Sequence, residues 1–158
     1  MNEKTKQLIF SLLKKNPECS ITSLMKLAYL VDLISVERYK KQVSNFKYRR
    51  YYYGPFDSKI YLYIEDLINK KIIIPKSDYT ITTGKEFVVY SPSESSDYNS
   101  DKINSKELMI IDELLESVKG YGARALTEIA YRTKPMIALG AKTNNSKGIG
   151  LRLKFGKR

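Results

Sequence analysis

The chain predicts an α+β fold, mainly α: a helical domain with a small antiparallel β-hairpin or sheet, arranged in a winged-helix-like order. Three observations carry this expectation. Apolar residues recur at helical spacing in several separate segments. The segment from Leu24 to Ile34 is apolar nearly all round, which marks a helix buried between others. Asp78–Thr82 and Glu86–Tyr90 flank Thr83-Gly84-Lys85, a glycine-containing turn of the kind that closes a hairpin. The length, 158 residues, suits one domain with a real core, or one domain and a tail.

The elements follow in order. Leu8, Ile9, Leu12 and Leu13 define a first helix over 3–15, stopped by Asn16-Pro17. Ser20 or Thr22 caps the second, with Leu24, Leu27, Ala28, Val31 and Ile34 on one face and Met25, Tyr29, Leu30 and Leu33 widening it. Lys26 and Asp32 on this helix must reach its exposed edge or find partners, because buried unpaired charge is costly. Residues 40–53 read as extended or as a short strand, with β-propensity but little clean alternation. Pro55 suits a first helical turn, with Asp57 or Ser58 as cap, and Ile60, Ile64, Leu67 and Ile68 form the buried stripe of a third helix reaching about Lys70. Residues 71–75 predict a strand ended by Pro75, ahead of the hairpin. Residues 91–101 are polar and proline-bearing, a linker or mobile loop. Asn104 and Glu107 have capping-box spacing, and Leu108, Ile111, Leu115 and Val118 give a fourth helix ended by Gly120 and Gly122. A fifth helix spans roughly 123–133, and Met136–Ala141 adds a turn. The chain thus divides into a helical domain, 1–141, with a mobile linker near 91–103, and a basic end, 142–158, that is either a tail or an added strand.

The net charge of +11 is unevenly spread. From Arg38 to Arg50, and again after Glu128, every charge is positive; an acidic stretch from Glu94 to Glu116 lies between. Such asymmetry suits a polyanion or an acidic protein as partner, though a basic surface alone does not establish nucleic-acid binding. Cys19 is the single cysteine and forms no intramolecular disulfide, the N-terminus lacks a signal-peptide pattern, and no apolar run reaches membrane-spanning length, so a cytoplasmic protein with no membrane partner is expected.

Most enzyme chemistry is disfavoured. The chain has no histidine, which removes the commonest general base and the Ser-His and Cys-His pairings. Cys19 has no basic neighbour closer than Lys15 and reads as an ordinary small residue. No zinc-ligand, Walker or dinucleotide spacing occurs, so no catalytic residue, metal or cofactor is assigned. Asp112, Glu113 and Glu116 read as a solvated helix face.

The most informative stretch is Arg49-Arg50-Tyr51-Tyr52-Tyr53-Gly54-Pro55-Phe56. Three consecutive tyrosines cannot all be buried on one side, so at least one ring should be exposed or at an interface, where tyrosine and arginine are favoured. These eight residues form the candidate partner-binding segment. The alternative, a winged-helix-like DNA-binding regulator, would use Lys40, Lys41, Lys47, Arg49, Arg50, Lys85, Arg152 and Lys154. Elsewhere, Tyr29 should be buried, and Tyr61 and Tyr63 should be core residues with their hydroxyls at the surface.

Three segments also carry a resemblance. Lys26-Leu-Ala-Tyr-Leu30 in an apolar helix, a tract closing on Tyr53-Gly-Pro55 before the next helix, and Leu126-Thr-Glu-Ile-Ala-Tyr-Arg-Thr133 together resemble the Panacea domain family, which includes SocA-like antitoxins and phage-associated relatives, over roughly residues 6–139. Members of that family often carry histidine near the position of Tyr131 and tryptophan near Pro135-Met136; this chain departs at both. The resemblance implies a non-enzymatic antitoxin that neutralises a toxin-like protein by direct contact around Tyr48–Phe56. It leaves the toxin's identity open, and a homodimer is compatible with it.

Overall fold

The computed structural model describes residues 1–156. Asn2 starts helix α1 (Glu3–Lys15) by accepting the Thr5 N–H, and Asn16 ends it. After a two-residue strand, β1 (Cys19–Ser20), the Ser20 hydroxyl accepts the Ser23 N–H and opens α2 (Ile21–Tyr39). Helix α2 is buried along most of its length, as its nearly continuous apolar surface predicts. Leu24, Leu27, Leu30 and Val31 are in the core, whereas Ile34, expected there too, is only partly covered, on the last turns.

Lys26 and Asp32 take the second course the sequence allowed: both are buried and partnered. Asp32 accepts from the Val43 and Ser44 amides and from the Ser44, Tyr48 and Gln42 side chains. Burial raises its carboxyl above the ordinary value, and those hydrogen bonds oppose the rise. The carboxyl thus pins the loop after α2 to the core.

The segment read as the approach to the third helix is instead a tight hairpin. Strand β2 (Arg49–Tyr51) pairs antiparallel with β3 (Gly54–Phe56), with Arg50 opposite Pro55 and Tyr51 opposite Gly54. Pro55 therefore lies in a strand, not a helical turn; β3 has no other neighbour, so the missing N–H disrupts no ladder. Helix α3 (Ile60–Asn69) follows and has no side-chain cap; Asp57 accepts the Lys59 and Lys47 amides instead. Ile60, Ile64 and Leu67 are buried with Tyr63, but Tyr61 faces outward rather than into the core.

Strand β4 (Ile73–Tyr79) runs straight through Pro75 and pairs with β5 (Glu86–Pro92), in the order β1-β5-β4. The proline was expected to end the strand; it does not because β4 is an edge strand. The hairpin's arms accordingly begin and end at different residues from those expected, and Thr80–Lys85 form its loop. Beyond β5, the Tyr98 ring meets the Phe10 ring edge-on at 5.0 Å, and Gln7 bonds to Asp101 and to the Lys102 amide.

Helix α4 (Ser105–Ser117) opens with the complete Asn104–Glu107 capping box. Its buried face is Ile110, Ile111 and Leu114, with Val118 buried at the C-cap; Ile111 and Val118 lie in the core as expected, whereas Leu108 and Leu115 lie at its margins. On its outer face Asp112 pairs with Lys15 and Glu113 with Arg38, tying down a surface expected to be merely solvated. Helices α5 (Ala123–Tyr131) and α6 (Lys134–Ala138) complete an α+β, mainly α fold. The chain then returns along β2, where Leu153 is buried and Arg152 forms a β-bridge with Arg49.

Candidate functional site

The hairpin β2–β3 places the Tyr52-Tyr53 dipeptide alone at its tip, between the paired residues Tyr51 and Gly54. Neither tyrosine adopts positive φ; Gly54, at +97°, takes up the twist where the strand resumes. A Cβ at Gly54 would be strained by the positive φ and would stand 3.1 Å from the Lys26 Cε, so that a larger residue would press on the Lys26 side chain. The rings project: Tyr51, Tyr52 and Tyr53 are 42%, 66% and 76% exposed. Tyr51 packs edge-on against Phe56 at 6.2 Å, and Phe56 in turn against the exposed Tyr61 at 5.8 Å, extending an aromatic row along α3.

Exposure alternates along β2 and its approach: Lys47, Arg49 and Tyr51 face out, while Tyr48 and Arg50 face in. Arg50 is therefore fully buried. Its Nη2 donates to the Lys142 and Asn145 carbonyls, each at 2.8 Å, and its guanidinium carbon stands 5.3 Å from the Tyr131 ring centre. The Tyr131 hydroxyl donates to the Tyr51 and Tyr52 carbonyls at 3.2 and 2.8 Å, directly beneath the tip. From α2, Lys26 Nζ donates to the Pro55 carbonyl at 3.2 Å, with the Phe56 ring 5.7 Å away. No carboxylate pairs with Lys26 among the described residues, and burial pushes its ammonium down to about 7. Tyr29, one helical turn on, is buried against Tyr48 and bonds to Thr133.

Three residues far apart in sequence, Lys26, Arg50 and Tyr131, thus hold one short turn from below. The K-L-x-Y-L and Y-G-P motifs, separate in the sequence, touch through the Lys26–Pro55 hydrogen bond, and the C-terminal helix joins them through Tyr131. Sequence reasoning missed Lys26 and Tyr131 as supports of this surface; the signal available was a lysine in an otherwise apolar helix.

The eight expected contact residues do not form one surface. Arg49, Tyr51, Tyr52 and Tyr53 are exposed and Phe56 is half-buried. Arg50, Gly54 and Pro55 are buried, and they support the turn rather than offer themselves to a partner. Arg50 drops out of the nucleic-acid set for the same reason. Of the remaining cations in that set, Lys40, Lys41, Arg152 and Lys154 line one cavity of about 880 Å³. Lys85 lines a different one, a groove of about 1040 Å³ between the β4–β5 hairpin and α5, with Tyr52 and Tyr53 in its wall. Cys19 lies in the floor of that groove, and burial pushes its thiol up to about 12, too high for a nucleophile. Among the described residues no group of three or more acidic, cysteine or histidine side chains has the geometry to hold a metal ion, and no helix is long and apolar enough to cross a membrane.

No curated protein and no solved structure matches the chain. The family model for the antitoxin SocA-like Panacea domain does match, over residues 24–135, which runs from the second turn of α2 to the start of α6 and takes in the hairpin and all three of its supports. The chain belongs to the antitoxin SocA-like, Panacea domain family.

Proposed function

We propose that this chain is a non-catalytic cytoplasmic protein that neutralises a toxin by direct contact, and that the contact is made by Tyr51, Tyr52 and Tyr53 with the adjoining Phe56–Tyr61 row. One observation carries the reading: the most exposed tyrosines lie on a turn whose backbone is fixed by buried groups. Exposed aromatic rings supply contact area and a hydrogen-bonding tip. A rigid turn loses little ordering entropy on binding. Lys26, Arg50 and Tyr131 fix the turn without reaching its surface. The groove beside Tyr52 and Tyr53 gives a partner's side chains somewhere to enter.

A winged-helix mode of DNA binding receives less support. The helix before the hairpin, α3, contains Glu65 and Asp66 and no cation. The hairpin balances Lys76 and Lys85 with Asp78 and Glu86, and Lys76 is paired with Glu18. A wing and helix without excess positive charge bring little of the phosphate attraction that such docking needs.

The test is amide hydrogen exchange on the chain alone and in complex with the product of the adjoining reading frame. Added protection is expected at Tyr51–Phe56 and the first turns of α3. Protection confined to α4, on the opposite charge face, would contradict the proposal.

A further inference from the structure

A second surface lies where the C-terminal segment runs back along β2. The Arg50 amide donates to the Leu151 carbonyl and the Leu153 amide to the Tyr48 carbonyl, both at 2.9 Å. These two bonds bracket Arg49 and Arg152, which the β-bridge places directly opposite each other. They form the non-hydrogen-bonded kind of antiparallel pair, in which side chains stand closest. In the same register Lys47 falls opposite Lys154. All four side chains are exposed, while Tyr48 and Leu153 between them are buried. The outward face is thus a ladder of two like-charged pairs, an arrangement that destabilises a sheet unless something neutralises it. Lys40 and Lys41, at the end of α2, line the cavity that Arg152 and Lys154 border. None of these six cations forms an ion pair among the described residues. The acids nearby are Glu37, in the cavity wall, and Asp57, whose carboxylate is taken up by the Lys47 and Lys59 amides.

We infer that this ladder binds the phosphodiester backbone of a nucleic acid. Alternate residues of a strand stand about 6.6 Å apart, a step that successive phosphates of an extended chain can follow. A protein partner fits less well. Lysine is depleted in protein interfaces, which need an apolar centre, and here lysine supplies four of the six cations while Leu151 is the one large exposed aliphatic beside them. Tyr51 and Phe56 stand at the ladder's margin on the same outward face as Arg49, within reach of an unstacked base. The cationic ladder is distinct from the Tyr52-Tyr53 tip and borders it at Tyr51 and Phe56, and its binding of a nucleic acid does not depend on toxin binding.

The experiment is fluorescence anisotropy of the full chain with a labelled mixed-sequence oligonucleotide, as a single strand and as a duplex, across a salt series. Binding should weaken steeply with salt, with a log–log slope near −3 on a single strand if about four phosphates are neutralised. The paired variant Arg152→Ala with Lys154→Ala should reduce the slope's magnitude by about 1.4 on a single strand and about 1.8 on a duplex. The arm that shows ladder-dependent binding identifies the source of the backbone. Arg152→Glu, which sets opposite charges across the bridge, should weaken binding at least tenfold yet raise the melting temperature of the free protein. Lys47→Ala with Lys154→Ala provides an independent pair should Arg152→Glu fail to fold. No binding at low salt in either arm would overturn the inference. So would undiminished binding by the ladder variants, or competition by polyglutamate as effective as by polyphosphate, which would mark an acidic protein surface instead.

Discussion

Arg50 and its neighbour Arg49 are one position apart and have opposite fates. The alternation along a strand sends Arg49 to solvent and Arg50 into the core, against the Tyr131 ring and two carbonyls. The period of two is present in Lys47–Tyr51, but a charged residue at an inward position hides it from any apolar/polar reading. This is why the segment read as a continuous basic, aromatic surface, and why only part of it is one. The tyrosine run was legible because three adjacent rings cannot share one face; that two of them form the hairpin tip was not, since Tyr-Tyr is no usual turn dipeptide and the informative glycine comes one residue later. Replacing Arg50 by alanine should cost about 2–4 kcal/mol, because the Lys142 and Asn145 carbonyls lose a charged donor and the Tyr131 ring loses the side chain packed on it. Replacing Arg49 by alanine should change stability by less than about 0.5 kcal/mol. Urea denaturation of the two variants side by side measures both; equal costs would mean that Arg50 is not the buried partner described. Tyr131→Phe, which removes only the hydroxyl beneath the tip, should destabilise by about 1 kcal/mol.

Helix α2 is the element on which both core and site depend. Its burial was legible from its apolar surface, and Leu27→Ala should cost about 2–5 kcal/mol in the same denaturation assay. Its two charges were harder to read, because sequence shows the cost of a buried charge but not the partner that offsets it. Asp32 finds its donors 10–16 positions away, and Lys26 finds a carbonyl 29 positions away. Lys26 gives the element a pH signature. Its ammonium is depressed from the ordinary 10.5 to about 7 in the fold. Between these values the unfolded chain holds a proton that the folded chain has released, so stability must rise with pH across that window and be flat, as far as Lys26 is concerned, below it. The slope should approach about 1.4 kcal/mol per pH unit. Equilibrium denaturation from pH 7 to 8, below the range where Cys19, Tyr29 and Tyr48 lose protons even in the unfolded chain, should show this rise in the wild type and not in Lys26→Met. The same slope in both would place the titration on another group. The hairpin β4–β5 shows a further limit at this scale: a proline signals the end of a strand only where its N–H is required, and the edge position of β4 is a property of the sheet, not of the segment.

Across the whole molecule, charge and shape separate into an acidic α4 face tied to Lys15 and Arg38, a basic ladder on β2 and the returning chain, and a tyrosine tip between the ladder and the groove. The charge blocks were visible in the sequence, but their meeting was not, because Arg49 and Arg152 are joined by a β-bridge that no local pattern encodes. With a net charge of +11 and unpaired like charges side by side, the free protein should gain stability when salt is raised from about 0.01 M to about 0.15 M, as screening relieves repulsion. A calorimetric melting temperature that falls over that range would contradict the ladder. A toxin-binding tip held by a buried frame separates two quantities in Tyr52→Ala and Tyr53→Ala: melting temperature, and rescue of growth in cells expressing the product of the adjoining reading frame. The melting temperature should stay within a degree or two of wild type, as expected for exposed positions, while rescue is lost. Full rescue by both variants at wild-type stability would contradict it.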